Sequence, residues 1–128
     1  MRSKKLFLSG TLVFVLLVFG FIVSVEASSE MWSKTYGGTD GDVAYSLIET
    51  SDGGYALAGY TYSFGAEGAN FWLIKTDRHG NMQWNKTYGG LTAHSLIQTS
   101  DGGFAIAGET IFFSTSAQDF YVVKTDSD

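Results

Sequence analysis

An internal repeat occupies most of this chain and restricts the folds open to it. Residues 32–38 return at 84–90 as Trp-x-Lys-Thr-Tyr-Gly-Gly, and residues 46–59 return at 95–108 with the shared start Ser-Leu-Ile-x-Thr-Ser-Asp-Gly-Gly. The unit is rich in glycine, aromatic and β-branched residues, which is typical of a repeated antiparallel β-sheet. We therefore expect an all-β fold made of two similar units.

The first unit predicts four short strands, at residues 43–50, 55–61, 71–76 and 82–88. The second unit repeats the first three of them, at 93–99, 104–110 and 120–125. Asp-Gly and Gly-Asn pairs separate the runs, and such pairs favour tight turns because glycine and asparagine tolerate positive φ. The predicted turn residues are Asp52, Gly53, Gly54, Gly80 and Asn81, with Asp101, Gly102 and Gly103 in the second unit.

The pattern of apolar residues predicts that each sheet is covered on both faces. Residues 71–74 and 120–123 are apolar without alternation, as in a strand with a neighbour above and below. Stacked four-stranded sheets of this kind form the blades of a β-propeller. We expect about two blade-like units, at residues 31–88 and 89–128.

The strands are shared unevenly between the two predicted blades. Residues 31–36 match the fourth strand at 82–88 and are expected to form a strand, whereas the second unit lacks a fourth strand. In a ring of identical chains, the first strand of one copy would complete the last sheet of its neighbour. Three or four copies would give six or eight blades, within the usual range of about four to eight. The alternative is a partial propeller.

The start of the chain predicts export. Basic residues, an apolar run and small residues ending at Ala27 describe a signal peptide over residues 1–27, cleaved before a mature region at 28–128. The apolar run over residues 6–25 is also long enough for an uncleaved membrane anchor of about 20 residues. In either case we expect the mature region to be secreted or to lie on the extracellular face of the membrane.

The charge of the mature region limits its partners. Removal of residues 1–27 leaves five basic and twelve acidic side chains, a net charge of −7. Such a surface repels phosphate backbones, so nucleic-acid binding is not expected. The chain has no cysteine, which excludes disulfides and thiolate metal sites.

The repeat resembles a family of extracellular β-propeller repeat proteins common in archaea and some bacteria. The resemblance rests on the strings given above and on Phe-Trp-Leu-Ile-Lys-Thr-Asp-x-x-Gly-Asn, and it covers residues 31–126. Family members usually carry many tandem repeats, whereas this chain has just under two. The resemblance implies an extracellular β-propeller fold. The small number of repeats implies either a subunit that completes a ring by association or a truncated, non-functional fragment.

Several polar residues are candidates for a metal or catalytic site. Asp40, Asp42 and Glu49 could supply oxygen ligands to a hard cation, but they lack the spacing of a known calcium loop and are better explained as solvated carboxylates. Asp77 and Asp126 recur with the repeat, which favours a structural role. His79 and His94 have no second histidine at ligand spacing. No metal or cofactor is therefore predicted.

Aromatic residues supply the candidate ligand surface. Trp32, Tyr36, Trp84 and Tyr88 could stack on sugar rings, with core packing as the alternative, and Trp72 is assigned to the core. Asn85 begins an Asn-Lys-Thr glycosylation sequon.

No nucleophile elbow, catalytic cysteine or pair of carboxylates framing a cleft is apparent, so a non-catalytic binding module for a protein or glycan is predicted. A carbohydrate-binding or carbohydrate-processing ring is the alternative.

Overall fold

Every element of regular secondary structure in the described residues is a β-strand, as the sequence predicts. The computed structural model describes residues 13–18, 21–26, 30–112 and 116–127, and the chain divides into two units, Met1–Met31 and Trp32–Asp128.

The N-terminal compact unit, Met1–Met31, contains a two-stranded antiparallel hairpin. Strand β1 is Val13–Val18 and β2 is Phe21–Glu26. The basic start of the predicted signal peptide and its cleavage site after Ala27 lie outside the described residues. The described part of the chain contains no helix long and apolar enough to cross a membrane. The signal peptide and the anchor both stay predictions.

The larger compact unit, Trp32–Asp128, contains two antiparallel sheets whose strands follow one another in chain order. The first sheet has four strands: β3 (Asp42–Glu49), β4 (Tyr55–Thr61), β5 (Asn70–Thr76) and β6 (Met82–Tyr88). The second sheet has three: β7 (Thr92–Gln98), β8 (Phe104–Phe112) and β9 (Ala117–Lys124). The prediction of four strands followed by three is confirmed. The described residues do not close into a propeller.

Both sheets carry the same irregularity in their first strand. The ladder between β3 and β4 skips Tyr45, and the ladder between β7 and β8 skips His94, so each is the extra residue of a β-bulge. Gly59 and Gly108 lie beside the bulges. A Cβ at these positions would come within 1.8 and 2.0 Å of a carbonyl oxygen on the neighbouring strand, so both bulges require glycine.

The hydrophobic core lies between the two sheets. It is formed by Ala56, Ala58, Phe71 and Leu73 of the first sheet and by Ala93, Leu96, Phe104 and Ile106 of the second. The first sheet presents two methyl groups on β4, and the second presents the larger Phe104 and Ile106 on β8. Small side chains on one face thus make room for large ones on the other.

Residues 31–36 do not form the predicted strand. They pair with no other strand. Their equivalent, β6, pairs with β5, but the described residues place no such neighbour beside residues 31–36. The segment is held by side chains instead. Trp32 Nε1 donates a hydrogen bond to the carbonyl oxygen of Arg78 (3.2 Å), and the Tyr36 hydroxyl donates to that of Gly80 (2.7 Å).

Candidate ligand-binding site

The two bulges bring together four side chains that differ between the repeats. We call Tyr45, Tyr60, His94 and Glu109 the bulge cluster. Residues 45–77 of the first repeat have their equivalents 49 positions later, so Tyr45 corresponds to His94 and Tyr60 to Glu109. The backbone is the same in both units, while the chemistry changes from two phenols to an imidazole and a carboxylate.

The members of the bulge cluster contact one another within and between the sheets. The ring centroids of Tyr45 and Tyr60 are 6.1 Å apart, and those of Tyr45 and His94 are 5.3 Å apart. Nε2 of His94 lies 3.7 Å from Oε1 of Glu109. Tyr62 extends the row through an edge-to-face contact with Tyr60 at 5.5 Å. The result is a continuous aromatic row that ends in a polar pair.

The bulges explain why these side chains are accessible. An extra residue in a strand leaves the ladder and turns its side chain away from the regular alternation of the sheet. Tyr45 and His94 are both exposed, and Tyr60 and Glu109 on the neighbouring strands are partly exposed. Aromatic faces beside a carboxylate and an imidazole suit a ligand that has an apolar face and hydroxyl groups, such as a sugar ring.

A shallow groove adjoins the cluster on the second sheet. It has a volume of about 430 Å³ and is lined by His94, Gly108, Glu109, Gln118, Asp119 and Phe120. At the equivalent place in the first sheet, Phe71 lies against Gly90 and Gly108 and contacts the Tyr121 ring. The groove is therefore the space that a following sheet fills in the first unit.

The four aromatic residues predicted to stack on a ligand are not members of the bulge cluster. Trp84 makes an edge-to-face contact with Phe104 at 5.9 Å, and Tyr88 is partly buried against the core. Trp32 makes the same kind of contact with Tyr55 at 5.7 Å. All of these contacts hold aromatic side chains within the protein, so their role in stacking stays a prediction.

The hydroxyl groups of Tyr36 and Tyr88 lie in similar electrostatic environments. Burial raises the pKa of Tyr36, and the carboxylate of Asp77 raises it further. Burial and the carboxylate of Asp126 do the same for Tyr88. The two sites are thus equivalent in charge as well as in sequence.

The acidic loop considered for a cation is organised around Asp42. Its carboxylate accepts hydrogen bonds from the Gly38 amide, the Thr61 hydroxyl and the Ser63 hydroxyl. Partial burial raises the pKa of Asp42, but these hydrogen bonds outweigh burial and lower it. In the described ranges no three His, Asp or Glu side chains form a group that could hold a metal ion. Asp42 therefore closes the loop, with Asp40 and Glu49 exposed to solvent.

The repeated turn aspartates accept local hydrogen bonds. Asp52 Oδ1 accepts from the Gly54 amide at 2.9 Å, and Asp101 Oδ1 accepts from the Gly103 amide at 3.0 Å. Gly53 and Gly102, which lie between them, have φ of 80° and 85°. Each aspartate also pairs with a lysine, Lys75 or Lys124.

The second turn of the first sheet is built on Asp77. Its carboxylate accepts from the His79 amide and from the amide and side chain of Asn81, and the Asn81 side-chain bond is the largest cause of the lowered pKa of Asp77. Gly80 supplies φ of 74°. Nε2 of His79 accepts a hydrogen bond from Arg78 Nε at 2.9 Å.

The sequon residue Asn85 lies on β6 and is exposed, and its Oδ1 accepts a hydrogen bond from Trp72 Nε1 at 3.0 Å. Trp72 is buried, in agreement with its assignment to the core.

Sequence reasoning considered His94 as a candidate metal ligand and did not select Tyr45, Tyr60 or Glu109. The available signal was the replacement of tyrosine by histidine and glutamate at equivalent positions of otherwise similar strands. No protein-family model, curated protein or solved structure matches this chain. The resemblance to extracellular propeller repeats accordingly stays a prediction.

Proposed function

We propose that this chain is an exported, non-catalytic binding module of the β-propeller type, and that the bulge cluster is its ligand surface. The observation that carries the proposal is the contrast between scaffold and cluster. The two sheets share three equivalent strands, the bulges and the turn aspartates, yet the exposed residues at the bulges differ in chemistry. Binding sites are commonly grafted onto a repeated scaffold in this way.

The propeller-type arrangement is supported by how the sheets meet. The first strands of the two sheets, β3 and β7, lie next to each other, and the sheets pack face to face around one core. In a propeller the first strand of each blade faces the central channel. Tyr45 and His94 would then line that channel, which is where ligands of such proteins have access to several blades at once.

A carbohydrate is the ligand class that the cluster favours. Tyr45, Tyr60 and Tyr62 offer aromatic faces in a row, and Glu109 with His94 offers hydrogen-bonding groups at its end. Sugars present an apolar ring face and peripheral hydroxyls, which match these two elements.

A glycan array followed by calorimetry tests the proposal. We expect binding to one glycan class, with at least a tenfold loss of affinity in Tyr45→Ala and His94→Ala, since each removes a contact worth about 1.4 kcal/mol or more. Met82→Ala is the matched control, because Met82 is an exposed apolar residue on β6, the far edge of the first sheet. Equal affinity in all three variants would reject the bulge cluster as the ligand surface. A reducing-sugar assay on the bound glycan distinguishes binding from processing.

A further inference from the structure

We infer that a second copy of this chain docks head to tail on the first, with the free face of its first sheet against the free face of the second sheet. The leading face is the face of the first sheet turned away from the second sheet, where Leu47 is exposed, Tyr55 and Leu57 are partly exposed and Ile74 is buried. The trailing face is the free face of the second sheet, with Ile97, Ala107, Phe120 and Val122. This inference rests on the propeller-type packing proposed above but not on the ligand.

The contact between the two sheets of one chain shows what each free face fits. Phe71 and Leu73 are buried under the second sheet, whereas their equivalents on the trailing face, Phe120 and Val122, are 100% and 66% exposed. Leu96 is buried under the first sheet, whereas its equivalent on the leading face, Leu47, is 59% exposed. The trailing face therefore resembles the face of the first sheet that covers Leu96 within the chain. The leading face resembles the face of the second sheet that covers Phe71.

The segment at residues 32–36 already occupies the place of a fourth strand from a preceding sheet. Trp32 contacts Tyr55 at 5.7 Å and an interplanar angle of 65°, and Trp84 of β6 contacts Phe104 of the next sheet at 5.9 Å and 67°. Tyr36 lies near Asp77 as Tyr88 lies near Asp126. The segment thus packs on its own first sheet as β6 packs on the second.

The second sheet offers the strand edge that this segment needs. Within the described residues no strand pairs with the outer edge of β9, and β9 is equivalent to β5, which pairs with β6. Ile74 lies opposite Asn85 in that pair, so the same register places Val123 opposite Ser33 of the second copy. One partner would cover both the unpaired backbone edge of β9 and the apolar trailing face, and both features favour aggregation when they are exposed.

Repetition of this contact completes the bulge cluster at every junction. His94 of one copy would meet Tyr45 of the next, as they meet within the chain. A head-to-tail contact closes into a ring when its rotation divides a full turn, and three or four copies would give six or eight sheets.

The first test compares the solution mass of the full chain with that of two variants. We expect a discrete oligomer whose mass falls three- to fourfold in Phe120→Asp, with an unchanged circular dichroism spectrum, because the charge would be buried against the leading face. Met82→Asp, which places the same charge on an exposed residue outside both faces, should keep the oligomer. A monomer in the unchanged chain, or an oligomer that survives Phe120→Asp, would overturn the inference. An oligomer that survives Phe120→Asp would assign association to the N-terminal compact unit, Met1–Met31, instead.

The second test reads the register and does not depend on Phe120. Since the chain has no cysteine, Ser33→Cys with Val123→Cys introduces the only thiols. We expect oxidation to link neighbouring copies and to stop at one ring size, whereas Ser33→Cys with Val122→Cys should not cross-link, since a shift of one residue moves the side chain to the other face. Equal cross-linking of both pairs, or an endless ladder, contradicts the inference. Absence of glycan binding leaves both tests unaffected.

Discussion

The ion pair between Asp52 and Lys75 allows a sharp test of how burial controls stability. Lys75 Nζ lies 2.8 Å from Asp52 Oδ2, and its side chain is only 7% exposed. The ammonium group also donates to the Thr76 carbonyl (2.8 Å) and to Gln83 Oε1 (3.0 Å). Asp52→Asn keeps an acceptor for the Gly54 amide and removes the negative charge alone.

The expected loss follows from the environment of the lysine. Removing one partner of a fully buried pair costs about 3–5 kcal/mol, because the other charge is left uncompensated. Here Asp52 is 54% exposed and Lys75 keeps two acceptors, which reduces the expected loss to about 2 kcal/mol. Urea unfolding at pH 7 and fixed protein concentration, followed by tryptophan fluorescence, measures it.

The pH dependence gives a second readout of the same pair. The hydrogen bond from Lys75, followed by those from Thr50 and the Gly54 amide, holds the pKa of Asp52 well below its ordinary value of 3.8. A carboxyl whose pKa is lower in the folded state stabilises the fold above the unfolded value, and this contribution is lost as the pH falls below about 4. Asp52→Asn should therefore weaken the acid sensitivity of the free energy of unfolding.

The second repeat supplies the control for this prediction. Lys124 lies 2.7 Å from Asp101, but the lysine side chain is 47% exposed, so water can solvate it when the partner is removed. Asp101→Asn should cost clearly less than Asp52→Asn. Lys75→Met on the Asp52→Asn background should recover most of the loss, because no unpaired ammonium then remains. Equal losses in the two repeats, or no recovery in the double variant, would refute the reasoning.

Three further changes test the packing. Phe71→Ala should destabilise the fold by about 3–5 kcal/mol in the urea assay, since it opens a cavity between the sheets; a loss below about 1 kcal/mol would contradict the assigned core. Gly54→Ala should cost more than Gly53→Ala, because its Cβ would lie 2.1 Å from the Thr76 carbonyl oxygen, whereas Gly53, at φ of 80°, meets no atom within 4 Å and costs about 1–2 kcal/mol; the reverse order would show that φ, not space, limits the turn. Trp32→Ala should speed amide hydrogen exchange at residues 33–38 while leaving exchange in β4 and β5 unchanged, and uniform acceleration would show that the segment supports the whole fold.

The strands and turns could be predicted because their signals are local. Asp-Gly pairs such as Asp52 and Gly53 specify turns through positive φ, and runs such as residues 71–74 specify strands through their apolar character. Comparing the two units also predicted that the second sheet has three strands. None of these inferences needed a contact between distant residues.

The features that sequence reasoning missed all depend on partners elsewhere in the chain. Residues 31–36 have the composition of a strand, but a strand needs a neighbour to accept its hydrogen bonds. Glu109 looks like an ordinary surface residue until the bulge at His94 brings an imidazole beside it. A bulge changes which face a side chain occupies, and alternation alone does not reveal it.

The pattern of change between the repeats separates scaffold from site on physical grounds. Phe71 is packed in a buried core, so either a smaller or a larger side chain at this position would lower the free energy of unfolding. Tyr45 and His94 project from bulges into solvent, where substitution costs little, and they are among the positions that differ in chemistry. Phe120 breaks this rule, because it is fully exposed and yet is the same residue as its buried equivalent. A second copy on the trailing face, as proposed above, would give Phe120 the environment of Phe71 and would account for this exception.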